Sequence, residues 1–180
     1  MVALAFGKLG NGIAVKITDV KTLVVNAKMR NWVFAKVETE VPGLHGWGEA
    51  TMEWKTRAVV GCVQDFKPML VGRDPTRIEF LWQIMNRHSF FRLGTIGVTA
   101  MTGIEQASWD ILGKSLGVPV FKLFGGRVRD KVRMYTHLGG GEMEAVYETF
   151  DAGPLIERAA EVIEGGYTAL KVVCMPIRRR

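Results

Sequence analysis

The sequence predicts an α+β unit, an antiparallel three-stranded meander backed by helices, followed by the opening of a parallel α/β sheet. Three observations carry this. Residues 15–50 contain three β-rich runs joined by short polar turns. Residues 59–116 change to apolar spacing at three- and four-residue steps, and residues 132–173 read strand, helix, strand.

The strands come first. Val15 to Val25 and Trp32 to Thr39 are rich in Val, Ile, Thr, Phe and Trp and partly alternate, and the link NAKMRN between them is short and polar. Pro42-Gly43 turns the chain into a third strand, HGWGEA, from His45 to Ala50. Short connections between successive strands make them antiparallel neighbours. Val59, Val60, Val63, Phe66 and Leu70 then mark a helix that Gly72 closes, and Asp74-Pro75-Thr76 opens a second with Ile78, Leu81, Ile84 and Met85 inward. The longest helix runs from about Gly97 to Leu116, where Gly117 supplies a cap and Pro119 prevents continuation. After Val128 come a strand over Val132 to His137, a Gly139–Gly141 loop, a helix from Pro154 to Gly165 and a strand over Thr168 to Val173. Two parallel strands and one helix leave sheet edges unpaired, so a partner or further chain is expected to cover them.

A chain of 180 residues removes roughly 70% of its extended surface from water on folding, enough for a real core. Its formal charge of +6 raises a nucleic-acid reading, yet three of the surplus charges are Arg178, Arg179 and Arg180, and the other basic residues alternate with acids. No zinc-knuckle spacing or aromatic RNA-binding signature accompanies them, so no nucleic-acid partner is expected. Cys62 and Cys174 are too few and too far apart for a disulfide framework, which points to a reducing cytoplasm. Residues 1–14 read as a disordered leader, and no apolar run approaches membrane-spanning length.

Carboxylates on an apolar helix invite a catalytic reading, and GIEQASWDILGKSLGVPVFKLFGG carries Glu105 and Asp110. Five residues apart, they lie about 140° apart around the helix and cannot address one reacting atom. Asp110 stands four residues before Lys114, the favourable order for a helical ion pair, so both acids read as scaffold. The glycines of GKLGNG and HLGGGEME lack the spacing of a dinucleotide fingerprint or P-loop. His45, His88 and His137 show no metal-ligand spacing, and no metal-ligating residue is assigned. His137 closes a parallel strand, however, and Lys171 lies in the next one; α/β barrels place reactive groups at such strand ends.

The stretches GWGEA, GIEQASWDILGKSLGVPVFKLFGG and GYTALKV, in this order, resemble the enolase superfamily. The resemblance is to its mandelate racemase and muconate lactonizing branch, and most of all to the galactonate dehydratase-like acid-sugar dehydratases. It implies a capping domain over residues 15–127 and the first strand, helix and second strand of a TIM-like (β/α) barrel over 128–180. It implies Mg²⁺ held by acids on the third to fifth barrel strands, proton abstraction next to a carboxylate, and loss of water. It also implies a small sugar acid as substrate and a homo-oligomer when the protein is complete.

Carried over residue by residue, Lys171 matches the first lysine of the branch's Lys-x-Lys motif and is the candidate catalytic residue. Val173 stands where the second lysine would be, which favours a dehydratase over a racemase or cycloisomerase. Lys28 and Arg30, in the loop Asn26–Asn31, and His137 are the candidate substrate contacts; a second cap loop near Trp54 to Thr56 joins them. Because the implied metal ligands fall beyond these elements, the sequence reads as an amino-terminal portion inactive by itself. The alternative is a non-catalytic remnant or interaction module.

Overall fold

A computed structural model describes residues 15–28, 30–138 and 152–172. The expected leader at 1–14, the Gly139–Gly141 loop and Val173 lie outside the described residues. The described chain falls into two compact units, one within Met1–Arg127 and one within Val128–Arg180.

In the first unit, β1 (Ile17–Ala27), β2 (Arg30–Thr39) and β3 (His45–Glu49) form an antiparallel sheet in the order β1-β2-β3. The expected meander is present, with β1 and β2 each extending further toward their shared turn. Register pairs Val20 with Val37, Thr22 with Ala35 and Val24 with Val33. Alternation then sends Val20, Val33, Ala35 and Val37 to one face, where all four are fully buried.

Helices α1 (Thr56–Leu70) and α3 (Gly94–Leu116) cover that face, α2 (Ile78–His88) packs against both of them, and a short α4 (Val120–Leu123) follows. Val59, Val63, Phe66 and Leu70 of α1 and Leu81 and Met85 of α2 enter the core as their spacing predicts, while Val60 and Ile84 are only partly buried against it. Ala100, Ile104, Ala107 and Ile111 form the inward stripe of α3. Gly117 ends α3 in the left-handed conformation at φ 68°, its amide donating to the carbonyl oxygens of Gly113 and Lys114. Beyond α1, Gly72 at φ 83° turns the chain back beside β1, where its amide reaches the Ile17 carbonyl at 2.8 Å.

Helix α3 lies unusually close to β3, and two glycines permit it. A Cβ at Gly46 would run into the Ala107 carbonyl, and one at Gly48 into the Gly103 carbonyl. The approach brings polar side chains of α3 onto the outer edge of β3. Gln106 accepts the Glu49 amide at 2.9 Å, Asp110 accepts the Trp47 amide at 3.0 Å, and Lys114 donates to the His45 carbonyl at 2.8 Å. Glu105 faces elsewhere, its carboxylate 3.5 Å from the Trp109 indole nitrogen. The expected ion pair of Asp110 with Lys114 forms at 2.6 Å.

The second unit contains β4 (Thr136–His137), α5 (Ala152–Glu164) and β5 (Leu170–Lys171), with β4 and β5 parallel. Both strands are shorter than the sequence predicts. Residues 131–135 and 168–169 take no ladder position, although the Arg133 guanidinium grips the Thr168 side chain and carbonyl. A β-strand persists only where its amides find a partner, and here the ladder has two rungs. Val162 of α5 is buried, while Val132 and Met134 remain exposed.

Candidate functional site

The turn between β1 and β2 is built under local strain. Ala27 pairs with Arg30, leaving a two-residue connection that begins with Lys28 at φ 58°. Tight hairpins require positive φ at this place, and Asn26 supports it by accepting the Lys28 amide at 3.2 Å. The loop leaving β3 is anchored to the sheet: the Ala50 amide donates to the Val33 carbonyl at 2.7 Å, and the Val33 amide to the Thr51 hydroxyl at 3.1 Å. Trp54 follows at φ 58° with 64% of its surface exposed.

These two segments meet. Arg30 Nη1 lies 2.7 Å from Glu53 Oε1, joining the hairpin to the loop before α1. Beside them opens a cavity of about 750 Å³ lined by Val24, Asn31, Trp54, Lys55, Thr56 and Arg57, among others. Its wall combines an apolar strand residue, an indole, an amide, a hydroxyl and two cations. Most of its exposed lining is apolar, with a few polar groups among it. Lys55 lies within the expected loop Trp54–Thr56 and Arg57 directly follows it; neither cation was singled out by itself in the sequence, and only the tertiary cavity distinguishes them from solvated surface charge.

His137 and Lys171 come together in the second unit. They are register partners in the parallel pair, so their side chains leave the same face of the two strands. Tyr135 lies two residues before His137, and the Lys171 ammonium stands 5.9 Å from its ring centroid. Lys28 and Arg30 form one group of the sequence-predicted residues and His137 and Lys171 another, each within its own unit.

A magnesium ion would need several oxygen ligands, carboxylates among them. Among the described residues no group of three or more His, Cys, Asp or Glu side chains is placed to hold a metal ion, so the donor set for Mg²⁺ is not assembled there. Among the same residues, no helix is long and apolar enough to cross a membrane.

Residues 13–125 match the mandelate racemase/muconate lactonizing enzyme amino-terminal domain. Curated relatives include the D-galactonate dehydratase of Variovorax paradoxus, 41% identical over 87% of this chain, and that of Verminephrobacter eiseniae, 44% identical over 77%. This chain spans 38% and 36% of those two proteins. Among solved structures, an enolase from Pantoea ananatis with bound D-gluconate and Mg superposes with a TM-score of 0.75 at 34% identity, over 88% of this chain and 36% of that one. A dehydratase-like protein from Mesorhizobium loti gives 0.76 at 36% identity, over 87% and 41%. The glycine-seated α3 and three-stranded sheet derived from the residues are thus the capping fold of these enzymes, and the chain belongs to the mandelate racemase/muconate lactonizing branch of the enolase superfamily.

Proposed function

We infer that this chain carries the substrate-facing cap and first barrel elements of a Mg²⁺-dependent cytoplasmic acid-sugar dehydratase of the galactonate type. The observation that carries the reading is the cavity beside Arg30, open and walled by both cations and an indole, in a chain whose relatives include D-galactonate dehydratases. In this reading Lys28 and Arg30 hold the polar end of a sugar acid. His137 contacts the substrate from the first barrel strand, and Lys171 serves proton transfer next to the substrate carboxylate, after which a neighbouring hydroxyl leaves as water. The whole enzyme is a homo-oligomer. In this reading residues 1–180 alone are inactive.

A domain exchange tests this. Residues 13–125 of this chain, replacing the matching domain of the Variovorax paradoxus dehydratase, should support D-galactonate dehydration. Arg30→Ala in that chimera should raise KM about tenfold while changing kcat less, as loss of a charge-assisted contact predicts. A chimera that folds but does not turn over sugar acids, or an Arg30→Ala chimera with unchanged KM, refutes the reading. Mg²⁺-dependent turnover by purified 1–180 refutes the inactivity.

A further inference from the structure

A second cavity, of about 350 Å³, opens along the later turns of α1, where the end of α2 and the segment leading into α3 meet it. Its floor is apolar: Phe66 is buried there, and Cys62 and Leu93 pack partly buried against the core. Its rim is polar. Among the described residues, the side chains of Gln64, Asp65, His88 and Ser89 take no hydrogen bond and no ion pair. Pro68 adds one more acceptor. A proline inside a helix has no amide to give the carbonyl four residues earlier, so the Gln64 carbonyl lacks that helical partner, and both residues line the cavity.

The charge of this lining is opposite to that of the cavity beside Trp54. It holds one carboxylate, Asp65, and neither a lysine nor an arginine. Lys67, the neighbour of Pro68, is engaged by Asp19 at 2.6 Å. The Asp65 charge is felt at the floor, where burial first and that carboxylate second push the Cys62 thiol above its ordinary range. We propose that this cavity binds a small primary amine, its ammonium held by the Asp65 carboxylate, the Gln64 carbonyl and the Ser89 hydroxyl, and its hydrocarbon part lying on Phe66 and Leu93. An ammonium presents three donors and a positive charge at one nitrogen, which matches three acceptors of which one is charged. A sugar acid would meet a charge of its own sign with no cation in the lining to offset it. The volume is at the small end for ligand sites, room for one ring or a short chain. The site stands whether or not the chain serves a dehydratase.

Cys62 in the floor reports occupancy. In the full chain carrying Cys174→Ser, its reaction with an uncharged dipyridyl disulfide is followed with benzylamine as the probe. Benzylamine should slow the reaction at least about three-fold at saturation, with half the effect at about 1–10 mM, as suits a ligand of so few atoms. Benzoate should not protect, and benzyl alcohol should bind at least about three-fold more weakly than the amine. By calorimetry, Asp65→Asn should weaken benzylamine binding at least about three-fold. Pro68→Ala gives the Gln64 carbonyl its helical amide, and should weaken binding while raising the thermal midpoint. A proline of structural effect alone would change the midpoint and leave the ligand untouched. No protection by benzylamine up to about 50 mM overturns the site, since a weaker affinity is not specific binding. Equal protection by benzoate, competition by D-gluconate, or unchanged affinity in Asp65→Asn overturns it as well, and unchanged affinity in Pro68→Ala overturns the part given to the Gln64 carbonyl.

Discussion

The Asp110 carboxylate accepts the backbone amide of Trp47 at 3.0 Å, although 63 positions separate them in sequence. It is the middle rung of three. Gln106, Asp110 and Lys114 recur every fourth residue on α3 and meet Glu49, Trp47 and His45, every second residue of β3. Eight helical residues advance about 12 Å. Four strand residues advance about 13 Å. The two periods nearly coincide, so one helix can serve alternate positions along a sheet edge that otherwise presents open hydrogen-bonding groups.

Removing the middle rung should therefore cost more than a surface ion pair. Asp110→Ala deletes the acceptor of the Trp47 amide and the partner of Lys114 together, and should lower stability by about 1–2 kcal/mol in urea unfolding. Asp110→Asn keeps an acceptor and should lose less than half of that. Equal losses would show that charge alone, not the edge contact, is what matters.

Close seating of α3 gives a second expectation. Gly48→Ala brings its methyl against the Gly103 carbonyl and within 2.8 Å of Gln106 Cβ. Backbone on both sides leaves little room to yield, so the change should cost about 1–3 kcal/mol. Gly61→Ala is the contrast: its Cβ meets nothing within 4 Å, and α1 should gain about 0.5–1 kcal/mol from replacing an interior helical glycine. Thermal unfolding of the two variants should move in opposite directions.

Acid should weaken the cap through its charged corner. Lys67 lies 2.6 Å from Asp19 and holds that carboxyl below its ordinary range, with the Val20 amide helping. Glu38 is likewise held down, first by Lys21 and then by Lys36. A depressed folded-state pKa contributes stability that is complete above the unfolded carboxylate pKa and is lost as pH falls through the folded value. Urea midpoints should thus be flat near neutrality and fall below the ordinary carboxylate range. Asp19→Asn should flatten that acid limb; an unchanged limb would remove Asp19 from the account. Lys21, raised by Glu38, has the opposite sign and loses its contribution only at strongly alkaline pH.

Cys62 should be a slow thiol. Burial first, and the Asp65 charge second, push its pKa above the ordinary range, so the reactive thiolate is scarce at neutral pH. In a Cys174→Ser chain, iodoacetamide should modify Cys62 more slowly than free glutathione at the same pH. Asp65→Asn should speed the reaction, and a faster-than-glutathione rate in the unaltered site would contradict this environment.

The barrel-strand pair makes the sharpest statement about chemistry. In a chimera extended through residue 172, Lys171→Met should lower kcat at least about a hundredfold with little change in KM, as loss of a proton-transfer group predicts. His137→Ala should act mainly on KM. Reversal of the two effects would exchange the roles assigned to them.

Much of this was legible in the chain because it follows from local periodicity. Val59, Val63, Phe66 and Leu70 declared α1, and Gly117 with Pro119 declared the end of α3, since helical spacing and left-handed caps depend only on near neighbours. The four-residue step from Asp110 to Lys114 likewise announced an ion pair without any knowledge of the fold. The second unit was legible in kind but not in extent: the strand run from Val132 shrank to Thr136–His137, because strand length depends on distant amides and not on the run itself.

The site was the least legible part. Sequence marked Lys28 and Arg30 through the family resemblance, but gave no reason to join Arg30 to Glu53, 23 positions away, or to add Lys55 and Arg57 to one cavity wall. The family's signature stretches show where that boundary falls. GWGEA and GIEQASWDILGK by themselves determined a strand, a helix and a kinship. Only the tertiary structure decided that their glycines, Gln106, Asp110 and Lys114 are the two halves of one joint, because a glycine's empty side and a carboxylate's partner exist only once the two segments touch.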